Sequence, residues 1–259
     1  MPTRPLEDTT QRPTKELSQS EVLQDILLEL LSLRKKDLTP LVIFDIDDTL
    51  LSTLPRHLRI LKEFTTQPEL CSCFPKEAKR LASLKTVDIR YSITDTARSA
   101  GVMEETLLKE LLDFWFDRFF KNEFLRADDP VAGAPDYCQE VIAQGSHLVY
   151  LTGRDEAMRE GTLFSLSRHG FPMPNEKNVR LILKPKFETP DAEYKSEALE
   201  KISEMGEVAA VFENEPSHIN FCQERFPQAS MVFVDTHHSG KPVTPHSHIP
   251  WIKNFLKSL

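Results

Sequence analysis

Five short apolar runs constrain this chain most: Leu41–Phe44, His147–Leu151, Val179–Leu183, Val208–Phe212 and Met231–Val234. Runs this short, with little polar alternation inside them, are what strands buried on both faces look like. Interleaved with them are stretches of helical spacing near 134–145, 155–169, 193–204 and 215–225. Strands alternating with helices predict an α/β architecture, a Rossmann-like parallel sheet with crossover helices on both of its faces.

One segment breaks that rhythm. From 53 to 130 no strand-like run occurs, and the spacing is helical instead. Leu107, Leu108, Leu111, Leu112, Trp115, Phe116, Phe119 and Phe120 form an apolar stripe on a helix expected at 103–122. Shorter helices are expected at 56–66 and 76–84, with Thr94 or Asp95 capping another. The organisation read from this is a polar tail at 1–16, a core at 17–52 and 131–259, and a helical cap at 53–130, with the stripe as the cap's own core. Ser18-x-x-Glu21 is a capping-box signature. It opens a helix expected at 18–35, whose Leu23, Ile26, Leu27 and Leu30 pack on the sheet. Trp251, Ile252, Phe255 and Leu256 suggest a closing C-terminal helix.

Composition excludes several function classes. The chain has 259 residues, with 32 Lys+Arg against 40 Asp+Glu and a formal net charge of −8, which argues against duplex nucleic acid as the main partner. No apolar run approaches the roughly 20 residues that a membrane-spanning helix needs. The first twenty residues lack the apolar stretch of a secretory signal. Four cysteines at no repeating spacing make no disulfide framework. The expectation is a cytoplasmic protein of undetermined oligomeric state. With 8 Gly and neither GxGxxG nor a P-loop pattern, phosphate chemistry here would need something other than a glycine cradle.

The chemical signal is Phe44-Asp45-Ile46-Asp47-Asp48-Thr49-Leu50. Three carboxylates in four positions repel one another unless a cation neutralises them. Ligands of open α/β sheets sit outside the carboxyl ends of the strands. An acid cluster at that edge suits a hard cation held through oxygen, such as Mg²⁺.

Asp45-x-Asp47-x-Thr49 after an apolar strand resembles the first motif of the haloacid dehalogenase (HAD) superfamily. The remaining order agrees: Leu148–Arg154 resembles the second motif, a strand ending in Thr152. Lys195-Ser196-Glu197-Ala198-Leu199 resembles the third, and Val211–Glu215 the acidic fourth. The helical insert after the first strand resembles the family's C1 cap. The resemblance implies a Mg²⁺-dependent phosphomonoester hydrolase acting on a small phosphorylated substrate. Asp45 would be the nucleophile that forms an aspartyl-phosphate, and Asp47 the general acid and then base. Thr152 and Lys195 would hold the transferring phosphoryl group, beside Gly153 and Arg154. Asp45, Asp47, Glu213 and Asn214 would form the metal site.

Departures and rivals stay open at this level. The fourth motif usually has Asp where Glu213 stands, and Ser217 and His218 occupy the region where further acids are common. Lys184, ending its own strand, competes with Lys195 for the phosphate, and Arg154 either reaches substrate or pairs with Glu156. Asp48 either supports the metal from behind or caps the next helix. Arg56, His57, Arg59, Arg90 and Tyr91 are candidates for gripping a charged leaving group. His237, His238, His246 and His248 read as a polar loop near the active-site end. A phosphotransferase or mutase on the same site, or a catalytically weak binding protein on this scaffold, are the alternative functions.

Overall fold

In a computed structural model, residues 17–175 and 177–257 are described; the expected tail at 1–16 lies outside them. The chain opens with α1 (Gln19–Arg34), started by the Ser18/Glu21 capping box in both directions. β1 (Pro40–Phe44), β2 (Leu51–Ser52) and a run of helices follow: α2 (Leu54–Phe64), α3 (Pro68–Cys73), α4 (Pro75–Ser83), α5 (Ile93–Ser99), α6 (Glu105–Phe119) and α7 (Asn122–Leu125). Then come β3 (Asp129–Pro130), α8 (Ala134–Ala143), β4 (His147–Asp155), α9 (Arg159–Arg168), β5 (Val179–Lys184) and α10 (Asp191–Ser203). β6 (Glu207–Glu213), α11 (Pro216–Arg225), β7 (Ser230–Val234) and β8 (Trp251–Ile252) complete the chain.

The main sheet has the order β5-β4-β1-β6-β7-β8, with every pairing parallel. Because side chains alternate across a strand, β1 serves both faces. Val42 and Phe44 join the core under α1 and α8, while Leu41 and Ile43 join the core under α10 and α11. This is why the strand reads as continuously apolar. The sequence runs outward from β1 to β4 and β5, then returns to β6 on the other side of β1. That reversal puts a switch-point crevice at the carboxyl ends of β1, β4 and β6.

The helices from α2 to α6 bury a separate cluster that includes Leu61, Phe64, Leu81, Ile93, Leu107 and Leu111. The chain leaves for them and returns through a two-stranded antiparallel ribbon, Leu51 opposite Pro130 and Ser52 opposite Asp129. Among the described residues no helix is long and apolar enough to cross a membrane.

Three local expectations are corrected. The expected C-terminal helix is absent. Trp251 and Ile252 instead pair with Phe233 and Val234 as β8, and Phe255 enters an aromatic cluster with Phe44, Tyr137 and Phe212. Pro250, which favours extended backbone in its neighbour, stands just before that strand. The helix expected from Thr94 or Asp95 begins at Ile93, because the Ser92 hydroxyl accepts from the Asp95 N–H. The apolar stripe on α6 divides: Leu107, Leu108 and Leu111 are buried, Leu112 and Phe116 are exposed, and Trp115 and Phe119 are half-buried.

Candidate active site

The crevice outside β1, β4 and β6 is a cavity of about 380 Å³. Asp45, Asp47, Asp48, Thr152, Gly153, Lys195, Glu213 and Asn214 line its floor, with Glu215 and His218 beside them. The opposing wall comes from the helical segment and includes Leu54, His57, Arg90, Tyr91, Trp115, Phe119 and Phe120. The aromatic half of the stripe on α6 is thus cavity wall, not only helix-bundle core.

Asp45 directly follows β1, and its N–H donates to the Phe212 carbonyl at 3.0 Å, which ties the two central strand ends together. Its side chain is buried, and the Lys195 ammonium stands 3.8 Å away, beyond hydrogen-bond range. Burial and the neighbouring Glu213 charge push the Asp45 pKa well up, and Lys195 offsets this only in part. Lys195 instead donates to Glu213 Oε2 at 2.8 Å and to His218 Nδ1 at 2.7 Å. Glu213 Oε1 accepts the main-chain N–H of Asn214 and of Glu215, at 3.0 and 2.9 Å. Burial alone would raise the Glu213 pKa, but Lys195 and His218 bring it down to about 2. The same carboxylates keep the Lys195 pKa above the usual lysine range despite burial.

Asp47 is gripped from two sides. Arg154 Nη2 donates to its Oδ1 at 2.6 Å and Arg56 Nη2 at 3.0 Å. Both guanidiniums also hold Asp128, at 2.8 Å from Arg154 and 2.5 Å from Arg56, and all three of these side chains are fully buried. Burial would lift the Asp47 pKa, yet the two guanidiniums hold it well below the carboxylate range. Asp48 has φ 56° and accepts from the Thr53 N–H and hydroxyl, both at 2.8 Å, so it holds the residue just before α2 without capping the helix's own N–H groups. Burial carries its pKa to about 7 despite those two bonds.

Thr152 and Gly153 reach the cavity because β4 and β5 lose register between Leu151 and Asp155. Such an irregularity re-aims side chains at a strand end. Arg154 points back into the protein to Asp47, Asp128 and Thr162, away from the cavity lining. Glu156, its suggested partner, pairs with Arg159 instead. Lys184 ends β5 with its ammonium 5.4 Å from the Phe187 ring centre and does not line this cavity. Of the leaving-group candidates, His57, Arg90 and Tyr91 line the cavity. Arg56 is committed to its carboxylates, and Arg59 lies over Phe124. His237 lines the cavity too, and its carbonyl accepts from Asn214 Nδ2 at 2.5 Å.

The floor can receive a cation. Asp47, Asp128 and Glu213 each bond directly to a cation, from Arg56, Arg154 or Lys195, whereas Asp45 has none within hydrogen-bond range and would need a further cation to stay ionised. Asp47 has no carboxylate oxygen free of a guanidinium, so only its main-chain carbonyl remains to lend. Among the described residues, no three His, Cys, Asp or Glu side chains converge as a ready-made metal cluster. The donors are hard oxygens around a buried, under-neutralised carboxylate, which suits Mg²⁺ rather than a softer metal.

Sequence reading missed Asp128, noted His218 only as a departure from the fourth motif, and took the aromatic wall as the cap's own core. No local pattern marks Asp128, which lies 81 residues beyond Asp47 and meets it only through the two arginines. His218 follows Glu213 by five residues, and a helix starting at Pro216 turns it back onto the floor.

Compared with known proteins, residues 111–212 match the family model described as HAD superfamily, subfamily IIIB (acid phosphatase). No curated protein sequence matches the chain. Among solved structures, a candidate phosphatase from Clostridium difficile aligns over 78% of this chain and 88% of its own, at 14% identity and a TM-score of 0.50. A HAD-superfamily hydrolase of subfamily IA from Geobacter sulfurreducens aligns over 84% and 93%, at 13% identity and a TM-score of 0.45. The tungstate-bound class C acid phosphatase from Bacillus anthracis aligns over 76% of this chain at 14% identity and a TM-score of 0.44. The chain spans 61% of that enzyme's length.

Proposed function

We propose, on the premise that this chain belongs to the haloacid dehalogenase superfamily, that it is a Mg²⁺-dependent phosphomonoester hydrolase working through an aspartyl-phosphate on Asp45. The observation that carries the reading is Asp45 itself. It is a buried carboxylate at the switch-point edge of the sheet, facing a cavity, with a cation nearby but no hydrogen bond to it. Once a bound cation holds it ionised against that burial, such a carboxylate is a competent oxygen nucleophile.

In the first half-reaction an Asp45 oxygen forms a bond to phosphorus while the bond from phosphorus to the ester oxygen breaks. The Thr152 hydroxyl and the Lys195 ammonium face the phosphoryl oxygens and offset their charge. In the second half-reaction Asp47 takes a proton from water, whose oxygen bonds phosphorus as the Asp45–phosphorus bond breaks. The two guanidiniums keep Asp47 ionised in the resting site, the state that this second step needs. Because the resting Asp47 is ionised, the departing oxygen takes its proton from solvent, directly or through Asp47 once that carboxylate has picked one up, so leaving groups of low basicity demand least of the clamped carboxyl. Mg²⁺ would be held by Asp45 with oxygens of Glu213 and Asn214, and by the Asp47 carbonyl. When bound it would lower the repulsion between an anionic ester and an anionic nucleophile. The helical segment from α2 to α7 would act as the cap, shaping the cavity and excluding water.

The test is phosphate release from a panel of aryl and alkyl phosphates, with and without Mg²⁺, for wild type and Asp45→Asn. Metal-dependent release that is lost in the variant is the expected result. Release that persists in Asp45→Asn would refute the nucleophile assignment, and a silent wild type would refute the activity.

A further inference from the structure

His57 is a polar group of the cavity wall that the hydrolytic chemistry does not use. His57 lies on α2 and is 5% exposed. It stacks on Trp115 with ring centres 5.5 Å apart and planes 17° apart, and it leans on Phe119 at 4.7 Å. The Trp115 indole nitrogen donates to His57 Nδ1 at 3.0 Å. An indole N–H can only donate, so Nδ1 must be an acceptor, and a neutral ring then carries its proton on Nε2. That tautomer is fixed by a neighbour rather than by pH, and burial together with the Arg56 charge keeps the ring neutral, with its pKa near 3. Among the described residues the Nε2–H has no partner, although the residue lines the cavity.

The wall around it is complementary to an anion. The floor carries five carboxylates, whereas the wall from the helical segment carries none and ends at Arg90 on the rim. Arg90 has no ion pair among the described residues, and its charge reaches across to His237, whose pKa it helps lower after burial. Trp115 and Phe119 supply flat apolar surface against His57, and Phe120 extends it along the cavity wall.

We propose that His57 and Arg90 form a leaving-group subsite that selects phosphomonoesters whose leaving group bears a carboxylate, the His57 Nε2–H donating to it and Arg90 balancing its charge. The inference rests on the phosphatase reading and adds a substrate class to it. Both residues are positioning groups, since neither touches the phosphorus.

Phenyl phosphate and 4-carboxyphenyl phosphate differ only in the group this subsite would read. Wild type favours the carboxylate ester in kcat/KM, chiefly through KM. His57→Phe keeps a flat ring against Trp115 but has no donor, so the preference falls about tenfold. His57→Gln, whose amide can donate from a similar place, restores most of it. Arg90→Gln lowers the preference about threefold at low salt and less at high salt, as a screened rim charge should. The Nε2–H tautomer itself is read from the His57 ring nitrogens by ¹⁵N NMR, and Trp115→Phe releases it.

A wild type without preference for the carboxylate ester overturns the proposal. So does a His57→Phe variant that slows both esters equally, or a ring found protonated on Nδ1. If wild type hydrolyses neither ester, the phosphatase reading fails by itself. Binding of phenylphosphonate against 4-carboxyphenylphosphonate then decides the subsite, with equal affinities overturning it.

Discussion

Asp128→Asn is the perturbation that most directly probes how this site is built. In the intact protein two buried guanidiniums, Arg56 and Arg154, face two carboxylates, Asp47 and Asp128, so the cluster is balanced. Asp128 accepts from Arg56 Nε at 2.8 Å and Nη2 at 2.5 Å and from Arg154 Nη2 at 2.8 Å, with both partners fully buried. The amide keeps the volume but removes the charge, leaving one uncompensated positive charge out of reach of water. Breaking a buried pair from one side costs about 3–5 kcal/mol, because the partner's desolvation is no longer offset. Arg56→Met unbalances the cluster the other way. The double variant Asp128→Asn/Arg56→Met leaves Arg154 opposite Asp47 and restores neutrality. The two single costs should therefore exceed the double cost by roughly 2–3 kcal/mol. Urea unfolding followed by circular dichroism, with unchanged m-values, gives all three numbers. A single-variant cost below about 1 kcal/mol, or additivity within about 0.5 kcal/mol, would refute the account of a charge-balanced buried cluster.

Three further outcomes follow from the same structure. Asp45→Asn should lose more than about a thousandfold of phosphate release yet unfold at higher urea, because its ionised carboxylate is penalised where it stands; a lower midpoint would contradict that electrostatic picture. His57 stays neutral in the fold down to about pH 3, whereas an unfolded imidazole protonates below about 6.5, so acidification costs stability in that window. Between pH 4 and 6, His57→Gln should lose stability less steeply than wild type, by about 1.4 kcal/mol per pH unit, and equal slopes would show the ring protonated in the fold. At Gly133, φ is 78° and an added Cβ would lie 2.7 Å from the Phe255 carbonyl carbon. Gly133→Ala should accordingly cost more than about 1 kcal/mol, with a silent substitution refuting that close approach.

The parts of the fold governed by local patterning were legible in the chain. The runs at Leu41–Phe44 and Val208–Phe212 read as strands buried on both faces because β1 and β6 are central in the sheet. The Ser18/Glu21 box reads as a helix start because the two bonds that make it span only three residues. The C-terminus was misread because Ile252 and Phe255 sit three apart, as on a helix, while the real constraint is a long-range pairing of Trp251 with Phe233. The stripe on α6 was half-read for a similar reason. Periodicity reports which residues share a face, but it does not say whether that face meets a core or a cavity.

The floor of the site shows the same boundary more sharply. Asp45, Thr152, Lys195 and Glu213 are each announced by a strand end or helix start, and the switch-point topology brings strand ends together whatever lies elsewhere. What tunes Asp47 is a different matter: Arg56 comes from α2, and Asp128 from the residue before β3, on either side of the ribbon by which the helical segment leaves and returns. Neither has a periodic or motif signal, since each matters only once the ribbon has closed. The helical segment therefore supplies part of the electrostatics of the floor, and not only a wall above it. A core stripped of residues 54–127 would retain Asp128 but lose Arg56, leaving two carboxylates to share Arg154. The cluster would then carry an excess negative charge, and with one of its two guanidiniums gone the Asp47 pKa would rise.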